Sequence, residues 1–168
     1  MPKMPQNSRL SDLKKNLQLL YEKLAGMERS RITAYDAEAK ISIEMRIREE
    51  ILPDIRRYEA EYWQVLYQEF NTLSIDEIDA NDVIIEVTQT IEQITKHRFN
   101  GYPDEIIHLL IEIRDKLREP EKSSTAKLKA TLPLFPPFVS YEIEFGTQGI
   151  LQQFFPTFSR LLDKTKKK

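Results

Sequence analysis

The sequence predicts a mainly α-helical protein: an antiparallel helical hairpin of the coiled-coil kind, joined to a small α+β region with a C-terminal β-hairpin. Three observations carry that reading. Leu10, Leu13, Leu17, Leu20, Leu24 and Met27 recur at alternating steps of three and four, which lays an apolar seam along one side of a helix. Ile43, Ile47, Ile51, Ile55, Tyr58, Tyr62 and Val65 make a second such stripe after the short break Thr33-Ala34-Tyr35-Asp36. Beyond Thr125 the apolar period falls to two, the spacing of half-buried strands.

Ser11 and Asp12 are cap candidates for the first helix, which is expected to reach about Ile32, with Gly26 weakening its last turns. Asp36 precedes Ala37-Glu38-Ala39, a cap followed by an early acidic residue, so the second helix is expected to start there. At 1.5 Å per residue the first helix would be about 33 Å long and the second, running to about Phe70, about 52 Å. The longer helix therefore overhangs. Its overhang carries Tyr58, Tyr62, Trp63, Leu66, Tyr67 and Phe70, too much aromatic surface to leave wet. Tyr58, Tyr62, Trp63, Tyr67 and Phe70 are accordingly the candidate partner-binding residues, packing within the chain or in a homo-oligomer being the plainer alternative. The second stripe advances by about 3.7 residues per step, which drifts from a left-handed supercoil seam and suits a hairpin better than a long parallel zipper. Pro53 removes one helical hydrogen bond, so the helix is expected to kink near Glu49 to Pro53, or else two helices meet there with Pro53 opening the second.

Leu73 to Asp82 reads as acidic and irregular. Val83 to Thr95 fits a helix that buries Ile84, Val87, Ile91 and Ile94, although Val83 to Thr88 also has the β-branched content of a strand. Pro103 suits a first helical turn and Pro120 ends the next helix, whose Ile106, Ile107, Leu110, Ile113 and Leu117 form a broad apolar core face. After the linker Glu121 to Thr125, Leu128, Ala130, Leu132 and Leu134 alternate with polar residues, as do Val139, Tyr141, Ile143 and Phe145. Pairing Leu134 with Val139 puts the apolar residues of both strands on one face, and a one-residue slip would turn them outward. Pro136-Pro137 cannot form the common two-residue hairpin turns, which points to a cis bond before Pro137. The organisation expected is thus a flexible 1–9, a hairpin over 10–72, a small α+β region over 73–163 with its β-hairpin at about 126–145, and a basic tail at 164–168. The segment Ile150 to Leu162 is aromatic and is interrupted by Pro156.

The chain has 168 residues, 40% of them hydrophobic and 31% charged, a charge content that fits exposed helix surface around a modest core. A formal net charge of -2 and a pI near 5.8 give no overall attraction to nucleic acid. The absence of cysteine removes disulfides, thiolate metal sites and thiol nucleophiles. Met1 to Ser8 lacks the apolar run of a secretory signal, and no stretch is long enough to span a bilayer, so a soluble, cytoplasmic protein is expected.

Catalytic chemistry finds no motif. Glu105 and His108 stand three apart, a spacing some helical metal sites use, but His97 is the only other histidine and no second pair exists. Glu44, Glu49 and Glu50 alternate with Arg46 and Arg48, as on a solvated helix face. The four glycines form no phosphate-binding loop. No metal, cofactor or catalytic residue is assigned. Phe154, Phe155 and Phe158, followed by Lys164, Lys166, Lys167 and Lys168, offer an alternative function: an amphipathic helix lying on an anionic membrane surface. In the plain reading these phenylalanines complete the core and the lysines complement a helix C-terminus.

Two stretches resemble a known setting: LQLLYEKLAGMERSRITAYDAEAKISIEMRIREEILPDIRRYEAE from Leu17 to Glu61, and YPDEIIHLLIEIRDKLREPEKSSTAKLKATLPLFPPFVSYEIEF from Tyr102 to Phe145. They resemble helical-hairpin segments of cyanobacterial modular signalling and immunity systems, the effector-associated adaptor regions found beside large NTPases and caspase-like or TIR effectors. The resemblance implies association with a signalling NTPase or effector, without catalysis. The expectation is therefore a non-catalytic protein–protein interaction or adaptor module that oligomerises or docks a signalling partner through its amphipathic helices.

Overall fold

In the computed structural model, which describes residues 6–96, 102–145 and 150–166 and the side chains of 9–96, 102–140 and 150–165, helix follows helix. The order is α1 Gln6–Thr33, α2 Ala37–Arg46, a π turn Ile47–Ile51, α3 Leu52–Glu69, a 3-10 turn Phe70–Thr72 and α4 Glu77–Lys96. There follow α5 Asp104–Leu117, α6 Ser124–Thr131, a second 3-10 turn Leu132–Leu134, α7 Pro136–Phe145 and α8 Ile150–Lys166. Among the described residues there is no strand. The chain divides into two compact units, residues 1–65 and 66–168, with the boundary inside α3 rather than after residue 72.

In the first unit α1 packs against α2 and the π turn, so the chain folds back on itself as a helical hairpin. Asp36 caps α2 as its sequence position predicts, accepting a hydrogen bond from the Ala39 amide at 2.6 Å. The buried seam of α1 is Leu10, Leu13, Leu17, Tyr21 and Leu24; Tyr21 takes the place expected for Leu20, which is only half-buried, as is Met27. Across from it Ile47, Ile51, Leu52 and Ile55 are buried, and then Glu59 rather than Tyr58. The Tyr21 hydroxyl donates to Glu59 Oε2 at 2.8 Å, which explains how a carboxylate sits in an apolar seam.

Pro53 has no amide hydrogen to give the carbonyl four residues back, and the helix absorbs this with a π turn. The Leu52 amide bonds the Ile47 carbonyl five residues behind it, immediately before the proline. The disturbance falls where the sequence places it, as an inserted residue rather than a break. The insertion also reconciles a stripe spaced at steps of four, Ile47 to Ile51 to Ile55 to Glu59, with a helix of 3.6 residues per turn.

The second unit is a helical bundle with α4 at its centre. α4 packs against α5, α6 and α8, and α5 packs against α6. Its Val83, Ile84, Val87, Ile91 and Ile94 are buried, which settles the ambiguous segment as helix; it begins at Glu77, so the irregular stretch after Leu73 is short. Pro103 precedes α5 as its N-cap, and Ile106, Ile107, Leu110, Ile113 and Leu117 are all buried. Polar pairs edge the bundle: Arg118 to Glu92 at 2.6 Å, Lys164 to Asp79 at 3.4 Å, and Arg160 to Glu86.

The expected β-hairpin at 126–145 does not exist, and with it goes the α+β assignment. Leu128, Leu132, Phe135 and Val139 are buried at steps of four, three and four, a helical stripe, whereas Ala130 and Leu134 are only half-buried. Residues alternating by two and residues spaced by four share Leu128 and Leu132, so this short stretch satisfies both patterns. The prolines decide between them. Pro136 and Pro137 stand in the first turn of α7, where no amide donor is needed, so they open a helix instead of turning a hairpin. The side chains of Tyr141, Ile143 and Phe145, expected on the second strand, lie outside the described residues, but their backbone is helical. Phe135 meets Phe154 and Phe158 edge-on, each with ring centroids 5.4 Å apart, at the heart of this unit. Pro156 lies within α8 without ending it; burial of Phe154, Phe155, Phe158, Leu161 and Leu162 outweighs the hydrogen bond it forfeits.

Candidate hairpin-tip interface

The tip of the first unit is built from the end of α1, the three-residue turn and α2. Thr33 closes α1 by donating its hydroxyl to the Arg29 carbonyl at 3.0 Å, and Asp36 opens α2. Arg31 fastens the two helices, reaching Glu28 at 3.2 Å and Glu44 of α2 at 3.5 Å. What this tip leaves outside is apolar. Ile32 is 71% exposed, Tyr35 is fully exposed, and Ile41 and Met45 are 54% and 45% exposed. Not one of the ten residues of α2 is buried. Ile43, on the side facing α1, is half-buried. Single exposed apolar residues are ordinary on protein surfaces, but four between positions 32 and 45, two of them on a helix that contributes nothing to the core, are not scattered.

The aromatic overhang is arranged differently from the expected partner site. Tyr62 and Trp63 are fully buried, with rings edge-on at 5.1 Å, and Phe70 is buried too. Tyr58 is half-buried beneath the Arg57 guanidinium, which sits 5.1 Å from its ring centroid. Only Tyr67 remains exposed, so the five residues do not form one open patch. At the other end of the chain Phe154, Phe155 and Phe158 are buried, which takes away the apolar face a membrane-lying helix requires. Lys164 pairs with Asp79, while Lys167 and Lys168, and the side chain of Lys166, lie outside the described residues. Among the described residues, no helix is long and apolar enough to cross a membrane.

Glu105 and His108 lie on the exposed side of α5, and His97 is outside the described residues. Among the described residues no group of three or more His, Asp or Glu is placed to hold a metal ion. A depression of about 350 Å³ in the second unit is lined by Phe70, Asn71, Leu73, Ile75, Thr125 and Lys129 among others; it gathers one cation and no cluster of titratable groups. Beside it, Glu77 of α4 binds the start of α6, accepting from the Ser124 amide at 2.8 Å, the Thr125 amide at 3.2 Å and the Thr125 hydroxyl at 2.6 Å. The Thr125 hydroxyl above all, then the two amides, holds the Glu77 carboxyl below its ordinary proton affinity. The helix end that could bind an external anion is thus filled by the chain's own carboxylate.

Sequence reasoning passed over Ile32, Tyr35, Ile41 and Met45 as functional residues. The signal was present: once Ile43, Ile47 and Ile51 are assigned to the seam, Ile41 and Met45 fall on the opposite, polar side of the same helix, four residues apart. No protein-family model, curated protein or solved structure matches the chain.

Proposed function

We propose that this chain is a non-catalytic protein–protein interaction module whose contact surface is the tip of its helical hairpin. The observation that carries the proposal is α2, which buries none of its residues yet holds Ile41 and Met45 in water, next to exposed Ile32 and Tyr35. Covering an apolar side chain of that size contributes roughly 1.5 to 3 kcal/mol, so a partner helix laid on α2 gains binding free energy that the folded chain alone does not collect. The hairpin supplies a firm base, because Arg31, Asp36 and the buried seam hold α2 in place before any partner arrives. The resemblance of Leu17 to Glu61 to effector-associated hairpins supports a signalling NTPase or effector as the class of partner.

The test is a photoreactive residue placed at position 41 in the full chain, expressed in the cells that make it, with Lys23 as the control position. The expected result is a polypeptide adduct from position 41 that disappears with Met45→Glu and is not formed from position 23. Equal labelling from both positions, or none from position 41, counts against the proposal.

A further inference from the structure

Along the outward side of α2 and into the π turn that continues it, Glu38, Ile41, Met45 and Arg48 stand at successive steps of three, four and three, which puts them in one row. All four are exposed, and the row lies away from Ile47, the residue by which this segment enters the core. The flanking charges are already used: Glu44 pairs with Arg31 of α1, and Arg46 with Glu50 of the π turn at 3.6 Å. Among the described residues Glu38 and Arg48 have no such partner.

The row reads acidic, apolar, apolar, basic, and a two-fold rotation about a point beside Ile43 maps it onto its own complement. We infer that the tip binds a second copy of this chain, α2 lying antiparallel on α2 across a two-fold axis. Glu38 of one copy then meets Arg48 of the other at both ends, and Ile41 meets Met45 twice in the middle. Such self-matching is what an isologous contact demands, since every residue pair must occur twice. A helix of an unrelated protein would need an acidic and then a basic residue ten positions apart, around two apolar ones, whereas a second copy supplies them without further conditions. The inference deepens the interaction-module reading and rests on it. The row is short against the roughly 1,200–2,000 Å² that stable interfaces bury, so the dimer forms reversibly and grows with concentration.

Sedimentation of the full chain from micromolar to about millimolar concentration measures it. The wild type is expected to shift from monomer to dimer over that range. Glu38→Arg alone and Arg48→Glu alone each place like charges at both ends and are expected to weaken the dimer by about tenfold or more. An equimolar mixture of these two variants restores opposite charges at both ends, so a heterodimer of wild-type strength is the decisive supporting result. Because both positions are exposed, each variant should keep the wild-type circular dichroism spectrum. A dimer indifferent to either variant, or a mixture no stronger than its components, overturns the antiparallel pairing. A chain that stays monomeric throughout, while position 41 still cross-links to another protein, overturns the second copy and leaves the module reading standing. Monomer together with no specific cross-link removes both.

Discussion

Trp63 illustrates why an aromatic residue's role depends on its burial. Read from the sequence it belonged to a sticky end, but with no exposed surface it is core, and its edge-on contact with Tyr62 is a packing contact. Trp63→Ala is therefore expected to cost stability, about 3–5 kcal/mol in urea denaturation, and to leave association by the folded fraction unchanged. Gly26 gives the opposite case. It sits inside α1, and a methyl group there would meet nothing closer than Arg29 Nη2 at 3.8 Å, an ordinary contact. Gly26→Ala should raise stability by about 0.5–1 kcal/mol by reducing the freedom of the unfolded chain, again read from the denaturation midpoint. Glu59 shows what the stripe could not reveal, because a carboxylate breaks the apolar pattern; the Tyr21 hydroxyl reaching it across the hairpin helps make its position tolerable.

Among the elements, α6 is short, and its first turn is held by its Ser123 cap and the Glu77 clamp. The clamp's hydrogen bonds hold only the ionised carboxyl, so Glu77 binds its proton less readily in the folded chain than in the unfolded one. The stabilisation it gives is complete above the ordinary carboxylate range and is lost as pH falls through the lowered folded value. A carboxyl-detected NMR titration should find Glu77 titrating below the ordinary glutamate range, with the Ser124 and Thr125 amide signals moving in step; in Glu77→Gln those amides should no longer follow pH in that range. The stretch from Leu128 to Leu134 offers a test of its helical pattern. Leu132→Ala, at a fully buried site, is expected to cost about 2–5 kcal/mol, and Leu134→Ala, at a half-buried one, distinctly less. Comparable losses would restore the alternating pattern of a strand. That pattern misled because Leu128 and Leu132 belong to both periods, and because two successive prolines read equally as a turn and as a helix start.

For the molecule as a whole, protection should follow burial. Native-state hydrogen exchange is expected to be slowest in the middle of α4, which packs on three other helices, and faster in α2 by at least on the order of a hundredfold. Slow exchange throughout α2 in dilute monomer would mean the tip is covered, and would remove the basis for an interaction surface there. What the sequence by itself determined is local: the Asp36 cap, the disturbance at Pro53, most of the α1 seam and the apolar faces of α4 and α5, all set by neighbours within a few turns of chain, whereas Ser11 and Asp12, expected to cap the first helix, lie inside it. The hairpin could be read because its two stripes are long enough to show their period. Tertiary structure alone decided which apolar residues would find cover. Burial depends on what a distant segment places opposite a side chain, so Trp63 and Phe154 are enclosed while Ile41 and Met45 stay in water. The same dependence made 126–145 helical, because a short segment whose spacing suits two periods takes the form that presents Phe135 to Phe154 and Phe158.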